Sequence, residues 1–362
     1  HIMNIKTLAI AITAAALSLS ACNVTGKNAQ SYNSGNAAAF ASEGKVTKTL
    51  NLKNFSKIKS SLNVDISYTQ GNSYKVTVSG TAKALARADI SVSGGTLTIE
   101  QDNSRDNTYS NGSNKLHFNI TAPHISGITN HGRMDFTTGR LKGKGTDIEN
   151  NGVLQFSADE VVVETYGAGL KLTNHGRADI TIGTTSAGKT AIDNNGILTL
   201  SSDKMNAGSM KLSNYGRMDF SADVKASSAD LHNNGIFESD ASFTVEGSYE
   251  YTNYGRCDFT GDITAKSIDI SNSGIDQQDG KLKADALSMD VNGRSDYNLS
   301  FSGGTAKLTC SGIGDFNLSV DCQRLNVEAS GRIDVRLSGT ADNTEFTGAG
   351  ISNIDTSKLN KF

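Results

Sequence analysis

Four short stretches carry the side chains best suited to chemistry. His131, Arg133 and Asp135 fall at alternate positions, as do His175, Arg177 and Asp179. Tyr215, Arg217 and Asp219, then Tyr254, Arg256 and Asp258, repeat the arrangement with a phenol in place of the imidazole. Alternate residues of a strand share a face, so each stretch would set ring, guanidinium and carboxylate side by side. On a β face that is equipment for an enzyme acting on acidic polysaccharides, a lyase or hydrolase. The same groups repeated along a rod would instead bind. Rings and guanidinium groups two strand spacings apart, about 10 Å, can hold an extended glycan, an acidic polymer or a protein surface. A catalytic site departs locally from a pattern, whereas these residues are the pattern, which favours a non-enzymatic, charge-balanced binding face. No metal-ligand spacing, G-x-S-x-G or phosphate loop occurs, so neither metal nor cofactor is expected.

The elements that must position these groups follow from a repeat. NHGRMDF at Asn130 returns as NHGRADI, NYGRMDF and NYGRCDF. Aligned on the motif glycine, Gly132, Gly152, Gly176, Gly196, Gly216, Gly235, Gly255, Gly274, Gly293, Gly312, Gly331 and Gly350 form a series. A period near 20 residues belongs to solenoids. In eleven units the residue four before the glycine is apolar, from Ile148 to Phe346, with Ser126 aligned there in the first. Positions two and four after it are often apolar (Met134 and Phe136, Met218 and Phe220) and position three polar, which is alternation with period two. A third apolar position falls eight after the glycine, as at Val224 and Phe301. Each unit therefore reads as strand, corner, strand, turn, short strand. Such a unit buries too few side chains to offset the ordering of its own backbone, so it must stack on its neighbours. The expected fold is all-β, a parallel β-helix of about twelve rungs.

Asn precedes the glycine by two in eight successive units: Asn130, Asn150, Asn174, Asn194, Asn214, Asn233, Asn253 and Asn272. Stacked amides can hydrogen-bond up a column, and Asn and Gly both tolerate the left-handed backbone of a sharp corner. After Asn272 the column holds Val291, Cys310, Ala329 and Gly348, which must turn by packing. The residue after the glycine alternates between Arg and an aliphatic: Arg133, Val153, Arg177, Ile197, and so on to Arg332 and Ile351. Guanidinium groups one rung apart would repel by about 3 kcal/mol at an effective dielectric near 20. Skipping a rung separates them, and Asp two residues beyond each Arg supplies an acidic neighbour.

Residues 45–121 read as alternating strands with hairpin turns such as Ser93-Gly94-Gly95-Thr96, a β-rich section that covers the first rung of a helix spanning 122–362. Residues 102–113 read as a polar loop. At the far end Lys358 and Lys361 discourage end-to-end joining. The opening residues 1–2 resemble a cloning remnant. Residues 3–21 carry Lys6 and then an apolar run too short to cross a bilayer, a secretory signal. Leu19-Ser20-Ala21-Cys22 resembles a lipobox, with Cys22 as the lipidated residue, and 22–44 reads as a flexible tether. That predicts an exported lipoprotein anchored at the outer membrane, on its surface or periplasmic side. Cys257, Cys310 and Cys322 read as small buried residues, although export allows a Cys310–Cys322 bridge. With 34 basic against 37 acidic residues and no basic stripe, nucleic acid is not an expected partner.

The runs NFSKIKSSLNVDISYTQGNSYKVTVSG, ADISVSGGTLTIEQ and LNVEASGRIDVRLSGTADNTEFTGAGISNID resemble the putative auto-transporter adhesins with a head GIN domain, mostly exported Bacteroidetes proteins. The resemblance implies a right-handed parallel β-helix with a β-rich N-terminal part and an adhesin role. It brings no catalytic residues. The reading is thus a tethered surface-binding module, against the alternatives of a polysaccharide-active enzyme and a self-associating scaffold.

Overall fold

The computed structural model describes residues 44–102, 115–164 and 168–361. The remnant, the signal segment, Cys22, the tether as far as residue 43 and the loop residues 103–113 lie outside the described residues.

All the described strands join one sheet wound into a solenoid of about twelve turns. The alternation seen in the sequence is the reason. In Ile236–Val245 every second side chain, from Phe237 to Val245, is buried, and the next coil continues it in parallel register, Phe237 on Cys257 and Phe243 on Ile263. Inward side chains thereby form columns. The column four before the glycine runs Ile128, Ile148, Leu172, Ile192. The first coil contributes Ile128 there, where the alignment had placed Ser126, so this slot is apolar in every coil. A second column stacks Phe136 on Phe156, rings 5.4 Å apart and nearly parallel.

Two expectations are corrected. The expected turn beyond the glycine corner is absent from some coils and present in others: Arg177–Asn194 and Arg294–Cys310 are each one continuous strand, whereas Arg256–Thr260, Ile263–Thr264 and Ser267–Asn272 are separate strands of one coil. One coil carries an extra residue over the next, at a register slip between Ser202 and Met205. The rod also begins before residue 122. The N-terminal elements are β1 (Lys45–Leu50), β2 (Lys57–Ser60), β3 (Asn63–Gln70), β4 (Lys75–Thr81), a short helix α1 (Ala82–Ala86), β5 (Ala88–Ser93), β6 (Thr96–Gln101), β7 (Leu116–Ala122), β8 (Gly127–Asn130) and β9 (Arg133–Gly143). β2 and β3 form a coil parallel to β8 and β9 on one side and to β6 and β7 on the other. Chain order and stacking order therefore differ: the coil written first lies between two written later. β5 pairs antiparallel with β6 through Gly94 and Gly95, both in the left-handed region. β4 pairs antiparallel with β7, and β1 with β4. The antiparallel strands end the parallel stack and cover its edge. The helix α1 was not expected; Thr81 caps it by accepting from the Ala84 amide at 3.1 Å, and it buries Ala84 and Leu85.

Candidate binding face

The corner Asn-x-Gly sets the geometry of the site. Asn130 Nδ2 donates to Asn150 Oδ1 at 2.8 Å, and six further bonds of 2.8–2.9 Å carry the chain of amides to Asn272. Asn272 donates instead to Ser295 Oγ at 2.8 Å, which ends the column. Within a coil, Asn130 Oδ1 also accepts from the Gly132 amide at 3.1 Å. These side chains are buried and fully engaged. At the other end Ser60 takes the Asn slot and its Oγ accepts from the Leu62 amide at 3.2 Å.

The glycines are required by crowding. A Cβ on Gly216 would lie 2.0 Å from the Gly196 carbonyl oxygen, and Gly152, Gly176 and Gly196 face the same obstruction from the coil before them. Of the twelve corner glycines only Gly331 and Gly350 occupy the left-handed region. The expected left-handed corner is thus replaced by close backbone contact in the other ten.

Outside this buried edge lies an exposed ridge. His131, His175, Tyr215 and Tyr254 stand at the residue before the glycine, each in an exposed position, with Asn151, Asn195 and Asn234 in the coils between. Arg133, Arg177, Arg217 and Arg256 stand at the residue after it and stack in register with Val153, Ile197, Ile236 and Ile275. Ile197, Ile236 and Ile275 are 41–53% exposed, high for isoleucine in so ordered a surface. The third residue after the glycine carries Asp135, Asp179, Asp219 and Asp258.

The expected pairing of each Arg with the Asp two residues on does not hold. Among the described residues only Arg217 of this column forms an ion pair within 4 Å, at 3.8 Å to Asp219 and 3.2 Å to Glu238 of the next coil. The reason is the diagonal neighbour. Glu238 sits where Arg133, Arg177 and Arg256 meet Gln155, Thr199 and Gln277, and Asp315, diagonal to Arg294, takes Arg336 at 3.4 Å. Asp135 turns to Lys115 at 2.8 Å. Lys115 also bridges to Asp65, and His117 Nδ1 lies 2.8 Å from the other oxygen of Asp65. Partial burial pushes the Asp65 carboxyl up, but Lys115, Asp135 and His117 together hold it below the usual carboxylate range; hydrogen bonds to the two carboxylates raise Lys115. This cluster ties β7, β3 and β9 together at the covered end.

Two features had not been found by reading the sequence. His232 lies half-buried between Tyr215 and Tyr254, ring centroids 6.3 and 5.6 Å away, so the two tyrosines belong to one aromatic cluster across three coils. The signal was available: His232 is three residues before Gly235, in the coil between the two Tyr coils. The other is interior. Where most coils point apolar side chains inward, Asp276, Gln278 and Ser295 are buried. Asp276 Oδ2 accepts from Tyr297 OH at 2.6 Å and Gln278 Nε2 at 3.0 Å. Burial pushes the Asp276 carboxyl up to about 6, against the lowering effect of those bonds. Burial also drives the Tyr251, Tyr297 and Cys257 groups well above their ordinary values. Cys257, Cys310 and Cys322 are free and buried, so Cys310 and Cys322 form no bridge.

Fold and ridge define a parallel β-solenoid with a continuous corner of exposed rings, guanidinium groups and aliphatic side chains. The chain belongs to the family described as putative auto-transporter adhesin, head GIN domain, whose model matches residues 54–185 and 290–361, over half of the chain. No curated protein matches it. Among solved structures it is similar to a putative adhesin from Bacteroides fragilis (14% identity, 87% of this chain and 97% of that chain, TM-score 0.23). It is also similar to two from Parabacteroides distasonis: a putative adhesin (14% identity, 89% and 98%, TM-score 0.29) and a putative lipid binding protein (12% identity, 89% and 98%, TM-score 0.25).

Proposed function

We propose that this protein is a non-enzymatic, extracytoplasmic lipoprotein, tethered at the outer membrane through Cys22, that binds surface polymers along its Asn-x-Gly ridge. The observation that carries this is the ridge itself. Guanidinium and ring side chains recur every second coil over half-exposed isoleucines, a surface with more apolar area and more unpaired cation than a solvated face needs. Repetition along an axis suits a repetitive ligand, because each coil pair offers the same contacts to the next unit of a chain. Membership of an adhesin family supports the surface location, and the apolar run ending in Leu19-Ser20-Ala21-Cys22 supports lipid anchoring.

The test is a screen of the protein from residue 23 onward against glycan arrays and immobilised matrix proteins. Binding is expected, and Arg217→Ala and Tyr215→Ala should weaken it several-fold. Silence across the screen, with both variants equally silent, removes the reading. Lipidation is checked separately, by incorporation of labelled fatty acid that Cys22→Ala abolishes.

A further inference from the structure

The two Tyr-Gly-Arg corners are chemically unequal. At Tyr215 the adjacent Arg217 is neutralised by Glu238 and Asp219. At Tyr254 the adjacent Arg256 meets Gln277 on the diagonal and forms no ion pair within 4 Å among the described residues. Between them His232 touches both rings, and its Nε2 lies 3.0 Å from Asn234 Nδ2. The result is three tilted rings spanning two coil spacings, about 10 Å, with a guanidinium in no ion pair within 4 Å among the described residues at the Tyr254 end and a paired one at the Tyr215 end.

Resting on the surface-binding reading, we propose that Tyr215, His232, Tyr254 and Arg256 form a subsite for an acidic oligosaccharide, a uronate-bearing chain of pyranose rings lying along the rod axis. Sugar C–H faces stack on tyrosine, whose rigid ring presents apolar area at little entropic cost. Arg256 takes the carboxylate in two-point contact, which lysine would not reproduce. A single sugar would span one ring; the separation of the tyrosines selects a disaccharide or longer. Residues 186–289, which contain the cluster, fall outside the matched family segments, so the subsite is a feature of this chain's central coils.

Calorimetric titration with a hyaluronan octasaccharide, which carries one uronate per disaccharide, tests this, with its methyl ester as the neutral probe. Tyr254→Ala and Arg256→Gln should each weaken binding of the acid at least ~10-fold, Lys225→Gln on another face should leave it unchanged, and the ester should bind poorly. Equal binding by wild type and both variants overturns the subsite while the surface-binding reading stands. Equal binding of acid and ester overturns selection for the carboxylate. No binding of the octasaccharide, with other array ligands bound, overturns the acidic-sugar class; silence towards every ligand sinks both readings. All the substituted side chains are exposed, and an unchanged thermal melt establishes that the variants fold.

Discussion

Asp276 is the residue that the coil pattern accommodates least. It occupies the inward slot that holds Met218 and Phe237 in earlier coils, and it is 1% exposed. A carboxylate there loses its hydration, and two donors do not restore it. Its folded value, about 6 against an ordinary 3.8, lies above the unfolded one, so the native state binds the proton more tightly. Stability is then lost as pH rises from about 4 through 6 and stays lower above that. Asp276→Asn keeps an oxygen to accept from Tyr297 and Gln278 and removes the charge. It should therefore stabilise by up to about 3 kcal/mol at pH 7.5, with the advantage shrinking towards pH 4, as read by denaturant unfolding at both pH values. A variant that is destabilised equally at both would mean that the carboxylate is needed in its charged form. Neither Asp276 nor His232 was legible in the sequence. Asp276 sits where most coils are apolar, and only its stacked neighbour Ser295 and the Tyr297 hydroxyl that donates to it show that it belongs to a polar pocket. His232 occupies an outward polar slot like any other until the coils on either side bring two tyrosines to it.

At the scale of the element, the Asn column and the glycine corner act together. Asn194 donates to Asn214 at 2.8 Å and to the Arg217 carbonyl at 2.9 Å, while its oxygen accepts from Asn174 and from the Gly196 amide. Removing one member strands partners in both adjacent coils. Each stranded buried group costs about 1–3 kcal/mol, so Asn194→Ala should destabilise by roughly 3 kcal/mol or more, whereas Asn272→Ser, at the terminus of the column, should cost less; equilibrium unfolding compares the two. Equal small losses would mean that the ladder is ornamental. This element was legible because identical residues at a fixed period can only superpose in a stack, and the Arg–aliphatic alternation was legible for the same reason. The covered end was legible only as strands. The β2–β3 coil writes Ser60-Ser61-Leu62 where later coils write Asn-x-Gly, and nothing local says that it is sandwiched between β6–β7 and β8–β9. The Arg–Asp pairing failed for a related reason: it was read along the chain, while the carboxylate that decides it lies diagonally in the next coil.

At the scale of the whole solenoid, the chemical unit is two coils. Arg and ring recur every second coil, and the family match brackets a central block, residues 186–289, that it leaves out. A rod of this construction can gain or lose coil pairs without disturbing either end, because each coil contacts only its neighbours. Deleting residues 217–255 joins Gly216 to Arg256, keeps the Arg–Ile alternation in phase and lets Asn214 stack on Asn272. Small-angle scattering of this variant measures the central claim, that successive coils lie directly on one another in parallel register. A folded, cooperatively unfolding monomer whose longest dimension is shorter by about 10 Å, two strand spacings, is the expected result. An unfolded or aggregated chain, or a folded one of unchanged length, would contradict it.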